Sequence, residues 1–266
     1  MSAVLQSPAE PILLRADDQG ITTLTLNRPA QFNSLSQAMM SELQAALDAI
    51  ARDTSVRVVV IAGAGKAFCA GHDLKEMRAN HTKEFQQALF RQCSKLMMTL
   101  TELPQPVIAR VHGIATAAGC QLVSMCDLAV AAQEARFAVS GINVGLFCST
   151  PGVGLSRNMG RKQAMEMLLT GDFIDAETAR SRGLVNRVVP ADQLDAEVRR
   201  LAESIRAKSP VAVSMGKQMF YKQLEMGLDA AYQYAAEVMA CNMMAEDAAE
   251  GIDAFIAKRQ PEWKGR

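Results

Sequence analysis

The sequence predicts an α/β fold, with a sheet-containing core followed by a helical C-terminal region. Three observations carry this. Short apolar runs alternate with segments of helical period through the first half of the chain. One of them, Arg57–Ala62 (RVVVIA), is continuously apolar and β-branched after its first residue, as expected of a parallel strand buried on both faces. From Leu155 onward the pattern is mostly helical, punctuated by Gly171, Gly183 and Pro190.

Taken in order, residues 11–26 read as a hairpin whose strands flank Asp17-Asp18-Gln19-Gly20. Asn27-Arg28-Pro29 is a polar break. Ser34 with Gln37 three residues on forms a capping-box pattern, and Leu35, Met39, Leu43, Leu47 and Ile50 give the helix after it one apolar face. Gly63–Leu74 reads as a Gly- and Ala-rich loop. A second helix is expected from about Thr82 to Leu103, with Phe85, Leu89, Cys93, Leu96, Met97 and Leu100 inward, closed by Pro104 and Pro106. Asp127–Val139 reads as two short strands, Ser140–Gly154 as a loop and Leu184–Val189 as one more strand. Ser209-Pro210 pairs a cap with a proline in the first helical turn, and amphipathic helix continues through Phe255. These features divide the chain into a core, 1–200, and a C-terminal helical region, 201–266.

A chain of 266 residues buries a large core, and with aromatics at 5% that core must be filled by aliphatics, Ala and the 16 Met. Lys+Arg and Asp+Glu balance at 28 each, leaving no field to attract nucleic acid or anionic lipid. The six cysteines (69, 93, 120, 126, 148 and 241) lack metal-type spacing and sit mostly among apolar neighbours, which reads as reduced thiols in a cytoplasmic compartment. Residues 1–10 show no charged segment followed by an apolar one, and no stretch reaches membrane-spanning length.

The rest of the chain is organised around Arg110–Asp127 (RVHGIATAAGCQLVSMCD). The buried strand end Pro106–Ala109 leads into it, Gly113 turns the chain, and Ala115, Ala117, Ala118 and Gly119 open a helix. Small side chains at a helix start let a ligand reach the first free N–H groups, a place for an oxygen that becomes anionic during a reaction. The same residues would also serve a helix packed closely on a sheet.

Four segments together resemble the crotonase superfamily, the enoyl-CoA hydratase/isomerase family. They are Asn27-Arg28-Pro29 with Asn33-Ser34-Leu35; Ala67–Leu74 (AFCAGHDL); His112–Cys120 running on to Met125-Cys126-Asp127; and the tail Phe255–Pro261 (FIAKRQP). The resemblance covers nearly the whole chain in the expected order. It implies a crotonase-like spiral of ββα turns, a C-terminal trimerisation region, assembly as a homotrimer or dimer of trimers, and an acyl-CoA thioester as ligand. Coenzyme A then belongs to the substrate, with no separate cofactor. It also implies that the backbone N–H groups of His72 and Ala118 hold the thioester oxygen. Where the family has Gly-Gly-Gly this chain has Ala117-Ala118-Gly119, and a donor survives that change only if φ stays negative, as a helix start permits. By the same match Arg28, Ala30, Phe32, Ala70, Asp73, Leu74 and Lys75 lie near the nucleotide or pantetheine. Phe255 and Lys258, from a neighbouring subunit, lie near the adenine and 3′-phosphate. For Arg28, Lys75 and Lys258, solvated surface charge is the competing reading.

The chain departs from the family at the acids. Hydration needs one group to take a proton and another to return it, and the resemblance places the two hydratase glutamates at Gln121 and Gly141. An amide orients a water without taking its proton, and glycine does neither. The isomerase acid falls at Gly141 or Ser149, and the dehalogenase aspartate near Cys148-Ser149. The expected acyl end is therefore polar and non-acidic: Gln121, Ser140, Asn143, Cys148, Ser149 and Thr150. Such a set suits chemistry in which the oxyanion hole does most of the work, for example decarboxylation of a malonyl-type thioester, where carbon dioxide leaves the enolate directly. The alternative is a protein that binds acyl-CoA, or modulates partners, without turnover. Cys148 reads as a packed thiol, His81 as a surface residue and His112 as a structural one, and no spacing points to a metal.

Overall fold

The computed structural model describes residues 10–266; residues 1–9, which carry most of the N-terminal reading above, lie outside the described residues. The hairpin forms as expected from β1 (Leu13–Asp18) and β2 (Ile21–Leu26), with Leu13 opposite Leu26. Helix α1 (Gln37–Ile50) follows, then β3 (Val58–Gly63), β4 (Ala67–Cys69), α2 (Leu74–Ala79), α3 (Lys83–Glu102), β5 (Val107–Val111), β6 (Ile114–Thr116), α4 (Ala118–Met125), β7 (Leu128–Ala132) and β8 (Arg136–Ala138). The second half holds α5 (Ser149–Asn158), α6 (Arg161–Thr170), β9 (Ile174–Asp175), α7 (Ala176–Ser181), β10 (Arg187–Val189), α8 (Leu194–Arg206), α9 (Pro210–Gln223), α10 (Leu228–Met243) and α11 (Glu246–Ile256).

From β3 to β8 the strands are dealt alternately to two sheets. One sheet runs β1-β2-β3-β5-β7-β10 and the other β4-β6-β8-β9. All pairings from β2 onward are parallel except β8 with β9. The six-stranded sheet explains the unbroken apolar character of β3. Val59 and Ile61 enter the main core with α1 and α3, while Val58 and Val60 lie under Leu194, Val198, Leu201 and Ala202 of α8.

Several boundaries differ from expectation for local reasons. Ser36, not Ser34, caps α1 by accepting the Met39 N–H at 3.2 Å. Ser34 instead turns to Arg28 and Asp73. The Gly63–Leu74 loop contains β4, too short to show a period. Ser140–Gly154 holds a 3-10 turn and the start of α5. Its glycines hid that helix from propensity, yet Gly154 is there because a Cβ would run into the Ser124 hydroxyl of α4. The strand expected over Leu184–Val189 shortens to β10, and β9 carried too little pattern to be seen.

The C-terminal helices are tied to the core by a group the sequence reading missed. Lys217 of α9 is buried and donates to Asp127 Oδ2 at 2.7 Å and to the carbonyls of Leu100 and Gln105 at 2.7 and 2.9 Å. Asp127 also accepts from the Val107 N–H and the Tyr221 hydroxyl. The residue four beyond Leu100 is Pro104, which has no N–H, so the lysine supplies the donor that the helix end lacks.

Candidate functional site

Strand alternation builds the site. Strands β4, β6 and β8 are parallel neighbours, with Cys69 opposite Ala115 and Thr116 opposite Ala138. Just beyond their C-terminal ends come His72, Ala118 and Ser140-Gly141 respectively, the edge where parallel α/β sheets present ligands. The Thr116 and Ser140 hydroxyls bond each other across that edge at 2.8 Å.

Two backbone donors are free here. Neither the His72 N–H nor the Ala118 N–H has an acceptor among the described residues, although their neighbours are engaged. Ala117 donates to Ala138 O at 3.0 Å, Gln121 donates to Ala117 O at 3.0 Å, and the Gly71 carbonyl accepts from Leu35 at 2.8 Å. Ala118 is the first residue of α4, so its N–H also carries the positive end of the helix. The two segments touch: a Cβ on Gly71 (φ 90°) would stand 3.1 Å from Ala118 N and 2.8 Å from Ala117 Cβ. A Cβ on Gly119 would run into the Cys69 carbonyl, so small residues serve close packing at one position and an open donor at the other.

The condition placed on the alanines holds at Ala118 and fails at Ala117. Ala117 has φ 51° and ψ −121°, a region that glycine fills readily and an alanine occupies only under strain. Its strain was invisible in the sequence, where it looked like an ordinary helix-opening residue.

Gln121 lies three residues after Ala118 on the same face of α4, and helical side chains lean toward the N-terminus. It is 4% exposed, and its Oε1 is buried without a partner. Gly141 is closed in. It donates to Cys148 Sγ at 3.3 Å and accepts from the Leu146 N–H at 2.9 Å, and a Cβ there would lie 2.6 Å from Leu146 O and 2.7 Å from Cys148 Sγ. Ser149 is exposed at the start of α5, its hydroxyl directed to Phe147 O. Burial raises the Cys148 thiol pKa, an effect only partly offset by the Gly141 N–H, while Cys69 and Cys120 are pushed up to about 12; these thiols are packing groups.

The His72 ring is nearly buried, its edge against Phe90 at 5.5 Å. Burial lowers its pKa, outweighing the bond between Nδ1 and Leu35 O at 3.3 Å, and Nε2 has no partner. His112 is likewise lowered by burial, its Nε2 on Gly65 O. His81 is exposed at the turn before α3.

The carboxylates that follow His72 are already engaged. Asp73 caps α2 and pairs with Arg28 at 3.1 Å; burial would raise its pKa, but the Glu76 N–H and the guanidinium together hold it below the usual carboxylate range. Glu76 accepts the Gln37 N–H at 3.0 Å. Arg28 also donates to Ser34 O, so it is part of an internal network rather than a free surface cation. Around this pair, Ala30, Phe32, Leu74 and Lys75 are exposed and Ala70 is half-buried; Phe32 and Leu74, each 54% exposed, present apolar surface to solvent, and the Ala70 N–H donates to Phe32 O. Phe255 and Lys258 stand apart, exposed at the end of α11, which packs on α9 and α10, elements that carry none of the other candidates. Among the described residues no cluster of His, Cys, Asp and Glu could hold a metal ion, and no helix is long and apolar enough to cross a membrane.

The model of the enoyl-CoA hydratase/isomerase family matches residues 16–266. The chain belongs to that family. Among solved structures of the enoyl-CoA hydratase/isomerase family, an enoyl-CoA hydratase from Mycobacterium smegmatis superposes with a TM-score of 0.94 at 60% identity, covering 96% of this chain and 99% of that one. Enoyl-CoA hydratase domain-containing protein 3, mitochondrial, from Xenopus laevis is 46% identical over 95% of this chain and 86% of its own length. The 2,3-dehydroadipyl-CoA hydratase of Escherichia coli K12 is 37% identical over 96% and 99%. The mixed α/β architecture with its parallel sheets and helical C-terminal region is that of these crotonase relatives. The cytoplasmic compartment read from the cysteines is corrected here, because vertebrate relatives such as the Xenopus protein are mitochondrial by name. Reduced thiols do not distinguish one reducing compartment from another.

Proposed function

We propose that this protein acts on an acyl-CoA thioester by holding its carbonyl oxygen between the N–H groups of His72 and Ala118, through a thioester enolate and without a glutamate pair. The observation that carries the reading is the pair of unpartnered amides at the ends of adjacent parallel strands, pressed together at Gly71. Fixed donors aimed at developing negative charge contribute about 3–4 kcal/mol each in measured systems. Gln121 supplies a neutral amide over the helix start, where it orients the acyl group or a water. The contacts that a Cβ at Gly141 would meet, Leu146 O and Cys148 Sγ, support a reading with no second acid at that position. A reaction whose electron pair comes from a departing group fits this set best. Decarboxylation of a malonyl-type thioester is the example: the C–C bond electrons pass to the enolate oxygen as carbon dioxide leaves, and the carbanion is then protonated.

The Asn27–Phe32 and Ala70–Lys75 segments are the proposed path for the pantetheine and nucleotide. The C-terminal helices leave Leu228, Tyr232, Met244, Phe255 and Ile256 more than two-thirds exposed, which supports assembly as a homotrimer or dimer of trimers. Such an assembly would bring Phe255 and Lys258 to a neighbour's cleft.

The test is mass spectrometry of a malonyl-, enoyl- and saturated acyl-CoA panel incubated with the protein and with Ala118→Pro. Proline is tolerated at the first helical position and removes one free donor. Turnover lost by about 10²–10³-fold in the variant supports the reading. Efficient hydration of crotonyl-CoA that survives Gln121→Ala refutes the account of the acyl end. Tight binding with no turnover across the panel makes this a binding protein instead.

A further inference from the structure

We propose that the cavity between the core and the C-terminal region is a second binding site, one that takes an organic anion: a carboxylate or phosphate head on an apolar body. The cavity has a volume of about 710 Å³, within the range that holds a small organic ligand. Val56, Arg57, Pro104 and Pro106 form its core wall, at the N-terminal ends of β3 and β5. The His72 and Ala118 amides lie elsewhere, beyond the C-terminal ends of β4 and β6. Pro210 and Val211 of α9 form the facing wall with Trp263, Lys264 and Arg266, which follow α11. That last segment is held in place. The Trp263 indole N–H donates to Ala207 O at 2.8 Å, and Asp247 accepts the Lys264 and Gly265 N–H groups at 2.6 and 3.1 Å.

Positive charge is in surplus here. Arg57 lines the cavity and Arg206 stands beside it: a Cβ on Gly20 would lie 3.2 Å from Arg57 Cγ and 3.7 Å from Arg206 Cδ. Among the described residues neither guanidinium has a carboxylate at ion-pair distance. Arg57 donates to Lys208 O at 2.6 Å, and Arg206 Nε is buried without a partner. Asp247 attracts Arg57 from further off, but its oxygens already accept from the Ser209 hydroxyl and the two amides. Lys264 and Arg266 share a single carboxylate, Glu246, at 3.7 and 3.2 Å. Two like charges side by side and half-buried repel each other, and an anion on Arg57 relieves that repulsion. The guanidinium fork matches a carboxylate or phosphate, while Val56, Pro106, Ile205, Val211 and Trp263 offer the apolar contact. Gln105 also lines the cavity, and its carbonyl accepts from Lys217, so a ligand here reinforces the attachment of α9 to the core.

Trp263 is the only tryptophan in the sequence, so its fluorescence reports on this cavity. The experiment titrates the full chain with hexyl phosphate, hexanoate, hexanol and inorganic phosphate, as wild type and as Arg57→Gln, Arg57→Lys and Ala118→Pro. Hexyl phosphate or hexanoate is expected to change the signal saturably and to raise Tm, the tighter of the two naming the head group. Hexanol and inorganic phosphate are each expected to bind roughly tenfold more weakly or worse, having lost one half of the recognition. Arg57→Gln is expected to weaken the better anion by roughly tenfold, and Arg57→Lys, which keeps the charge, by less. Ala118→Pro is expected to bind that anion as wild type does, so a failure of the oxyanion reading leaves this result untouched. No saturable change with either anion, equal binding of hexanol, or undiminished binding in Arg57→Gln overturns the site. Inorganic phosphate that binds as tightly as hexyl phosphate overturns its apolar half.

Discussion

Replacing Lys217 by methionine keeps an unbranched side chain, shorter by the terminal amine, and removes its charge. The substitution leaves Asp127, 14% exposed, with the Val107 N–H and the Tyr221 hydroxyl but no cation, and it leaves Leu100 O without a donor because Pro104 has none to give. Removing one partner of a buried ion pair costs about 3–5 kcal/mol, most of it the burden of the charge left behind. For a chain of this size that is a fall in Tm of roughly 10 °C. Urea unfolding at fixed protomer concentration measures it, with Asp127→Asn and the double variant completing a cycle. The double variant is expected to recover part of the loss. A loss under about 1 kcal/mol would refute the claim that this pair anchors α9 to the core.

Three further outcomes follow from the site. Burial lowers the pKa of His72 and His112, so below the ordinary imidazole value of 6.5 the unfolded chain binds more protons than the folded one; stability then falls as pH drops from 6.5, by up to about 1.4 kcal/mol per unit per group, and His72→Gln flattens that slope in urea titrations. Gly141→Ala is expected to cost about 1–3 kcal/mol because its Cβ meets Leu146 O and Cys148 Sγ, and Gln121→Glu with Gly141→Glu is expected to unsettle the loop rather than hydrate crotonyl-CoA; a neutral Gly141→Ala contradicts this. Ala117→Gly is expected to gain about 1 kcal/mol by calorimetry, since relief of the positive φ outweighs the added chain freedom of glycine.

Much of the architecture was legible because burial writes itself into pattern. The doubly buried β3, the Thr82 cap of α3 with its inward stripe, and the Ser209-Pro210 start of α9 were all readable from local rules. The two-residue β9 and three-residue β4 were not, because a strand that short has no period. Helix α5 was obscured because Pro151, Gly152 and Gly154 answer to close packing rather than to helix propensity. At the site, the positions of the two donors followed from motif. Whether each amide is free, and the φ of Ala117, depend on partners more than a dozen residues away in sequence. The Lys217–Asp127 pair joins residues 90 apart, and its one sequence clue was a helix ended by prolines that cannot donate.

The dealing of successive strands to two sheets makes the molecule a stack of nearly self-similar storeys, each delivering one short edge to the same wall. The residues just past β4, β6 and β8 face that wall together, and the contacts of Gly71 with Ala117 and of Thr116 with Ser140 couple each storey to the next. Gln121 and Gly141 both stand along that wall.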